Sequence, residues 1–102
     1  MSDGEDWRMC CEAVHWLSKR HDERSAGLGK IEARRGAEAR KALDEEMHRI
    51  EPAYLLAMGT VEQRRAYLDQ VEYYEGPMFR EALEARIVAL WKERKAATEA
   101  AA

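Results

Sequence analysis

The chain has little to staple or interrupt it: two cysteines and two prolines in 102 residues. Cys10 and Cys11 are neighbours, and adjacent cysteines rarely meet disulfide geometry without strain. A disulfide framework is therefore excluded, and the pair reads as two small buried hydrophobes. Runs of β-branched residues are almost absent, while Ala, Glu, Arg and Leu abound, which is a helix-forming vocabulary. No apolar run approaches the roughly 20 residues that a spanning helix requires. The opening "MSDGEDWRM" is acidic, unlike a secretory signal, so the expected compartment is the cytoplasm, with no membrane partner.

An excess of one charge is missing as well. Seventeen Lys and Arg face 20 Asp and Glu, a formal net charge of -3. Residues 1–51 hold ten basic and twelve acidic side chains, and the remainder hold seven and eight. Neither half carries the electrostatic footprint of a nucleic-acid binder.

Catalytic patterns are also lacking. Ser2, Ser18 and Ser25 stand in no nucleophile elbow. The "GLGK" at 27–30 lacks the further glycine and the Ser/Thr of a phosphate-binding loop, and no strand precedes it. Cys11 and His15 lie four apart, on one helical face, as zinc ligands can. A metal site there would need two more ligands, from His21, His48 or a carboxylate, so both residues are weak candidates. Pairs such as Glu45-Glu46 read as solvated helix surface. The expectation is a protein without enzymatic activity, metal or cofactor.

What is present is helical periodicity. Trp7, Cys10, Val14, Leu17 and His21 step by three and four, which predicts one core-facing stripe, with Ser2 and Glu5 at capping-box spacing ahead of it. Pro52 suits a helix first turn and Gly59 a helix end. Thr60 and Gln63 form a second capping box. Val61, Arg64, Leu68, Val71 and Glu75, widened by Tyr67 and Tyr74, mark the next helix. Gly76-Pro77 ends it and starts the last one, whose stripe is Phe79, Leu83, Ile87, Leu90 and Trp91. Residues 98–102 read as a frayed tail.

Shifted by forty residues, the chain matches itself. Residues 24–43 fall on 64–83 with Arg24/Arg64, Ala26/Ala66, Leu28/Leu68, Glu32/Glu72, Gly36/Gly76, Arg40/Arg80, Ala42/Ala82 and Leu43/Leu83 identical. Ile31/Val71 and Asp44/Glu84 are near matches, and a period near forty suits helical repeats. The alignment makes Gly36 a helix boundary. It also puts Gly27 and Gly29 inside a helix, where each costs up to about 1 kcal/mol relative to Ala. That helix should be looser, shorter or closely packed. The predicted fold is an all-α bundle of five or six helices, one domain over 1–97 built from related halves, 11–50 and 51–90.

"CEA" at 11–13, "EARRG" at 32–36, "RRAYLDQVE" at 64–72 and the closing L-x3-I-x2-LW of Leu83–Trp91 resemble small helical phage and prophage proteins of unknown function. "YYEG" at 73–76 departs from that style. The resemblance implies a mobile-element setting, in which small acidic proteins bind host or defence proteins as inhibitors. Consecutive Tyr73 and Tyr74 cannot both face one core; Tyr73 is expected outward, and Tyr is enriched at interface hot spots. Tyr73, Tyr54, Arg64 and Arg65 are the candidate partner-binding residues, with a host or phage protein or a second copy as partner. The alternative, a nucleic-acid accessory protein, would use Arg34, Arg35, Arg64 and Arg65. The helix–Gly-Pro–helix junction is tighter than a helix-turn-helix reader's turn.

Overall fold

The computed structural model describes the backbone of residues 3–101 and the side chains of residues 7–101. Its five helices are α1 (Asp3–Leu17), α2 (His21–Arg35), α3 (Ala37–Leu56), α4 (Val61–Glu75) and α5 (Pro77–Ala101). No strand occurs among the described residues, so the all-α expectation holds. Ser2 and the Glu5 side chain, the expected first capping box, lie outside the described residues. The chain divides into two units, Met1–Glu51 and Pro52–Ala102.

In the first unit Ala13 and Leu17 of α1, Leu28 and Ile31 of α2, and Leu43 and Met47 of α3 are buried. The α1 stripe differs from expectation. Trp7 and Val14 are exposed, and Cys11 is exposed rather than a buried hydrophobe. The buried arc runs through Ala13 and Leu17 with Trp16 half-buried beside it. It is rotated away from Trp7, with small Ala13 at the inner position.

Gly27 explains how Trp16 fits. A Cβ at Gly27 would collide with Cη2 and Cζ3 of the Trp16 indole, whereas one at Gly29 would meet nothing within 4 Å. The missing side chain is the slot in which the ring lies. Helix α2 is as long as α4, 15 residues each, so the glycines do not shorten it. The "GLGK" segment is helix throughout.

The second unit is built on Leu55, Val71 and Leu83, with Met58, Tyr67, Leu68 and Ile87 packed against them. Val61, Phe79 and Trp91, placed on core stripes by periodicity, are exposed. So short a unit buries only part of its apolar surface, and these three side chains stay outside its core. Trp91 lies beneath Lys95, whose Nζ is 5.1 Å from the ring centre.

Pro52 departs from its expected first-turn place: it lies inside α3. Residues 43–51 are mostly strong helix formers and carry the helix into the proline, whose φ is compatible with continuing it at the loss of one backbone bond. The division between units falls there. At the other end α5 continues to Ala101 where a frayed tail was expected after 97, consistent with the high helix propensity of its Ala and Glu residues.

The forty-residue offset reappears in the backbone. Helices α2 and α4 begin at 21 and 61 and end at 35 and 75. Gly36 has φ 94° and ψ 167°, and Gly76 has φ 103° and ψ 164°, a region essentially confined to glycine. Each donates its N–H backward, to Glu32 O at 2.8 Å and Glu72 O at 3.0 Å. Each then accepts from the next helix, from Arg40 N at 3.3 Å and Arg80 N at 3.2 Å. One glycine thus ends a helix and starts another.

Candidate functional site

Charged pairs hold each glycine corner. Arg40 spans the first, with Nη1 3.1 Å from Glu32 and Nε 3.8 Å from Asp44. Arg80 spans the second, reaching Asp69 at 2.7 Å, Glu84 at 3.3 Å and Glu72 at 3.6 Å. The hydrogen bond to Asp69, with Glu72 and Glu84 nearby, raises the Arg80 pKa above the ordinary arginine range. A raised cation contributes stability below its ordinary pKa and loses it only above, so this contribution is constant through neutral pH.

A second pair of arginines closes helix ends. Arg24 donates from Nε to Trp16 O at 3.1 Å and from Nη2 to Leu17 O at 3.3 Å. Its counterpart Arg64 donates from Nη1 to Met58 O at 3.2 Å. Arg24 thereby satisfies terminal carbonyls of α1 that lack intrahelical donors, and Arg64 satisfies a carbonyl of the loop that follows α3. Both arginines are matched in the self-alignment, a signal of a shared structural role that the assignment of Arg64 to partner binding passed over.

The corners differ at their surfaces. Around Gly76, Tyr73 is 82%, Met78 80%, Phe79 62% and Tyr74 46% exposed. The two tyrosine rings meet edge to face, with centroids 4.9 Å apart. Five carboxylates occur over residues 69–84 (Asp69, Glu72, Glu75, Glu81 and Glu84) against Arg80 alone. Glu75 and Glu81 have no ion pair among the described residues. Around Gly36 the same positions carry Ala33 for Tyr73, Arg35 for Glu75, Ala39 for Phe79 and Lys41 for Glu81. Residues 29–44 hold Lys30, Arg34, Arg35, Arg40 and Lys41 against three carboxylates.

Two grooves accompany the first unit. One, of about 340 Å³, is lined by His15, Trp16, Lys30, Arg34 and Arg35 among others. The other, of about 460 Å³, is lined by Met9, Ala39, Ala42 and Leu43 with Arg8, Glu12 and Arg35. Arg35 is anchored by Glu12 at 2.8 Å.

The proposed site residues scatter. Tyr73 is exposed, its ring against that of Tyr74. Tyr54 is half-buried, its ring 6.2 Å from Tyr67. Arg64 and Arg65 line a groove with Val61, Leu68, Arg80 and Ile87, and Arg34 and Arg35 belong to the other unit. Cys11 and His15 are both exposed, and no cluster of three metal-ligating side chains occurs among the described residues. No helix among them is long and apolar enough to cross a membrane. Periodicity placed Phe79 on a core stripe, because it reads hydrophobicity as burial, and left Met78 unassigned.

Residues 1–53 match the family of unknown function DUF7696. The chain belongs to that family. No curated protein and no solved structure matches it. The DUF7696 match spans the unit Met1–Glu51 with its basic corner and stops short of the acidic, aromatic corner at Gly76.

Proposed function

We propose that the chain is a non-enzymatic protein-interaction module whose docking surface is the corner at Gly76. The observation that carries this reading is the cluster of exposed Tyr73, Tyr74, Met78 and Phe79 within seven residues, bordered by Glu75 and Glu81. Clustered exposed apolar side chains with a charged rim mark interaction sites. The partner has a basic surface around an apolar recess. The resemblance to phage proteins extends the proposal to a host or defence protein, modulated by occupying its surface.

Affinity capture with chemical crosslinking tests it. Immobilised wild-type chain retains a saturable partner, and the Tyr73→Ala/Phe79→Ala variant retains it roughly tenfold or more less well, as expected for hot-spot aromatics. No saturable partner, or equal retention by the variant, overturns the reading.

A further inference from the structure

The two corners have diverged in opposite directions from one backbone geometry. At equivalent places one presents Arg35 and Lys41 with small Ala33 and Ala39, and the other Glu75 and Glu81 with large Tyr73 and Phe79. Beside the basic corner lies the groove of about 460 Å³, lined by Met9, Ala39, Ala42 and Leu43 together with Arg8 and the Arg35–Glu12 pair, so that, among the described residues, Arg8 and the neighbouring Lys41 are its unpaired cations. Both charge and size are complementary, cation to carboxylate and recess to protruding ring. We propose that this groove takes up the Gly76 corner of a second copy of the chain. The proposal rests on the reading of that corner as a docking surface and names its occupant.

In this arrangement Phe79 and Met78 of one copy enter the groove of the other, and Glu75 and Glu81 lie against Arg8 and Lys41. Glu75, Glu81, Arg8 and Lys41 have no ion pair among the described residues, so pairing them breaks no such bond. Each copy carries both complementary surfaces, so the contact either closes as a reciprocal, two-fold pair, which is isologous, or continues head to tail as a heterologous ring or chain of copies.

Sedimentation velocity over a protein dilution series tests this, in salt from about 0.01 M to 1 M, where the Debye length falls from ~30 to ~3 Å. The wild type self-associates at low salt and dissociates as salt rises. Two charge-reversed variants are compared, Glu75→Lys/Glu81→Lys and Arg8→Glu/Lys41→Glu, the second leaving the Arg35–Glu12 pair intact. Each alone associates roughly tenfold or more weakly, since like charges now meet. Mixed in equal amounts they associate again, because every contact regains opposite charges. Far-UV circular dichroism establishes that each is folded. If one does not fold, Phe79→Ser replaces it, with loss of assembly expected.

A monomer at every concentration and salt, or reversed variants that assemble as well as wild type, overturns the proposal. A monomer that still captures another protein through Tyr73 and Phe79 removes the second copy as occupant and leaves the docking surface standing. Loss of both removes the reading beneath it.

Discussion

Replacing Gly27 by Ala sets two effects against each other in α2. Alanine favours an interior helical position over glycine by up to about 1 kcal/mol. The new methyl, however, falls on the Trp16 indole, and overpacking of that kind costs typically ~1–3 kcal/mol. The net change alone is a weak test, since the ring is only half-buried and can yield. Gly29→Ala supplies the reference: same helix, two residues on, with nothing within 4 Å of the added carbon. Propensity cancels in the comparison, leaving the collision. Gly29→Ala should stabilise by up to about 1 kcal/mol, and Gly27→Ala should lie about 1–3 kcal/mol below it. Urea denaturation followed by circular dichroism measures both, provided the m-values agree. In a Trp16→Ala background the collision is gone, and Gly27→Ala should then stabilise like Gly29→Ala, a coupling of about 0.5–3 kcal/mol. Equal effects of the two alanines with Trp16 present would refute the close packing of ring on backbone.

Alanine at Gly36 or Gly76 forces a side chain into a glycine-only conformation and should cost about 1–3 kcal/mol in urea titrations. Thr60→Ala removes the acceptor of the Gln63 N–H bond, 3.1 Å long, and should lose about 0.5–2 kcal/mol. At the equivalent start of α2, Arg20 offers no side-chain cap, so Arg20→Ser should gain roughly 1 kcal/mol by the same assay. Arg80→Gln should lower the denaturation midpoint more at low than at high salt, through the loss of three carboxylate partners. The Arg80 contribution should not change across neutral pH, because its raised pKa places its loss above the arginine range.

Helix identity and the glycine corners were legible in the residues. Gly36 and Gly76 had to be glycine for the backbone to adopt positive φ, and the forty-residue self-match carried the first assignment from the second. The roles of the matched arginines were not read from the sequence: Arg24/Arg64 and Arg40/Arg80 stood out only as identities in the repeat, and the carbonyls and carboxylates they reach lie on neighbouring segments of the chain. The candidate surface was less so. Trp7, Phe79 and Trp91 sit on helical stripes yet face solvent, because short units bury only part of their apolar surface. Pro52 read as a beginning and stands in an interior, because flanking propensity outweighs one missing donor.

By itself, then, the order of residues determined an all-helical chain with glycine-forced corners at 36 and 76, since propensity, periodicity and positive φ are local properties. Only tertiary structure decided that Gly27 makes room for Trp16, that Arg80 gathers three carboxylates, and that Tyr73, Met78 and Phe79 stay outside the core. Those outcomes depend on which helix faces meet, and hydropathy along a single helix carries no record of its neighbours.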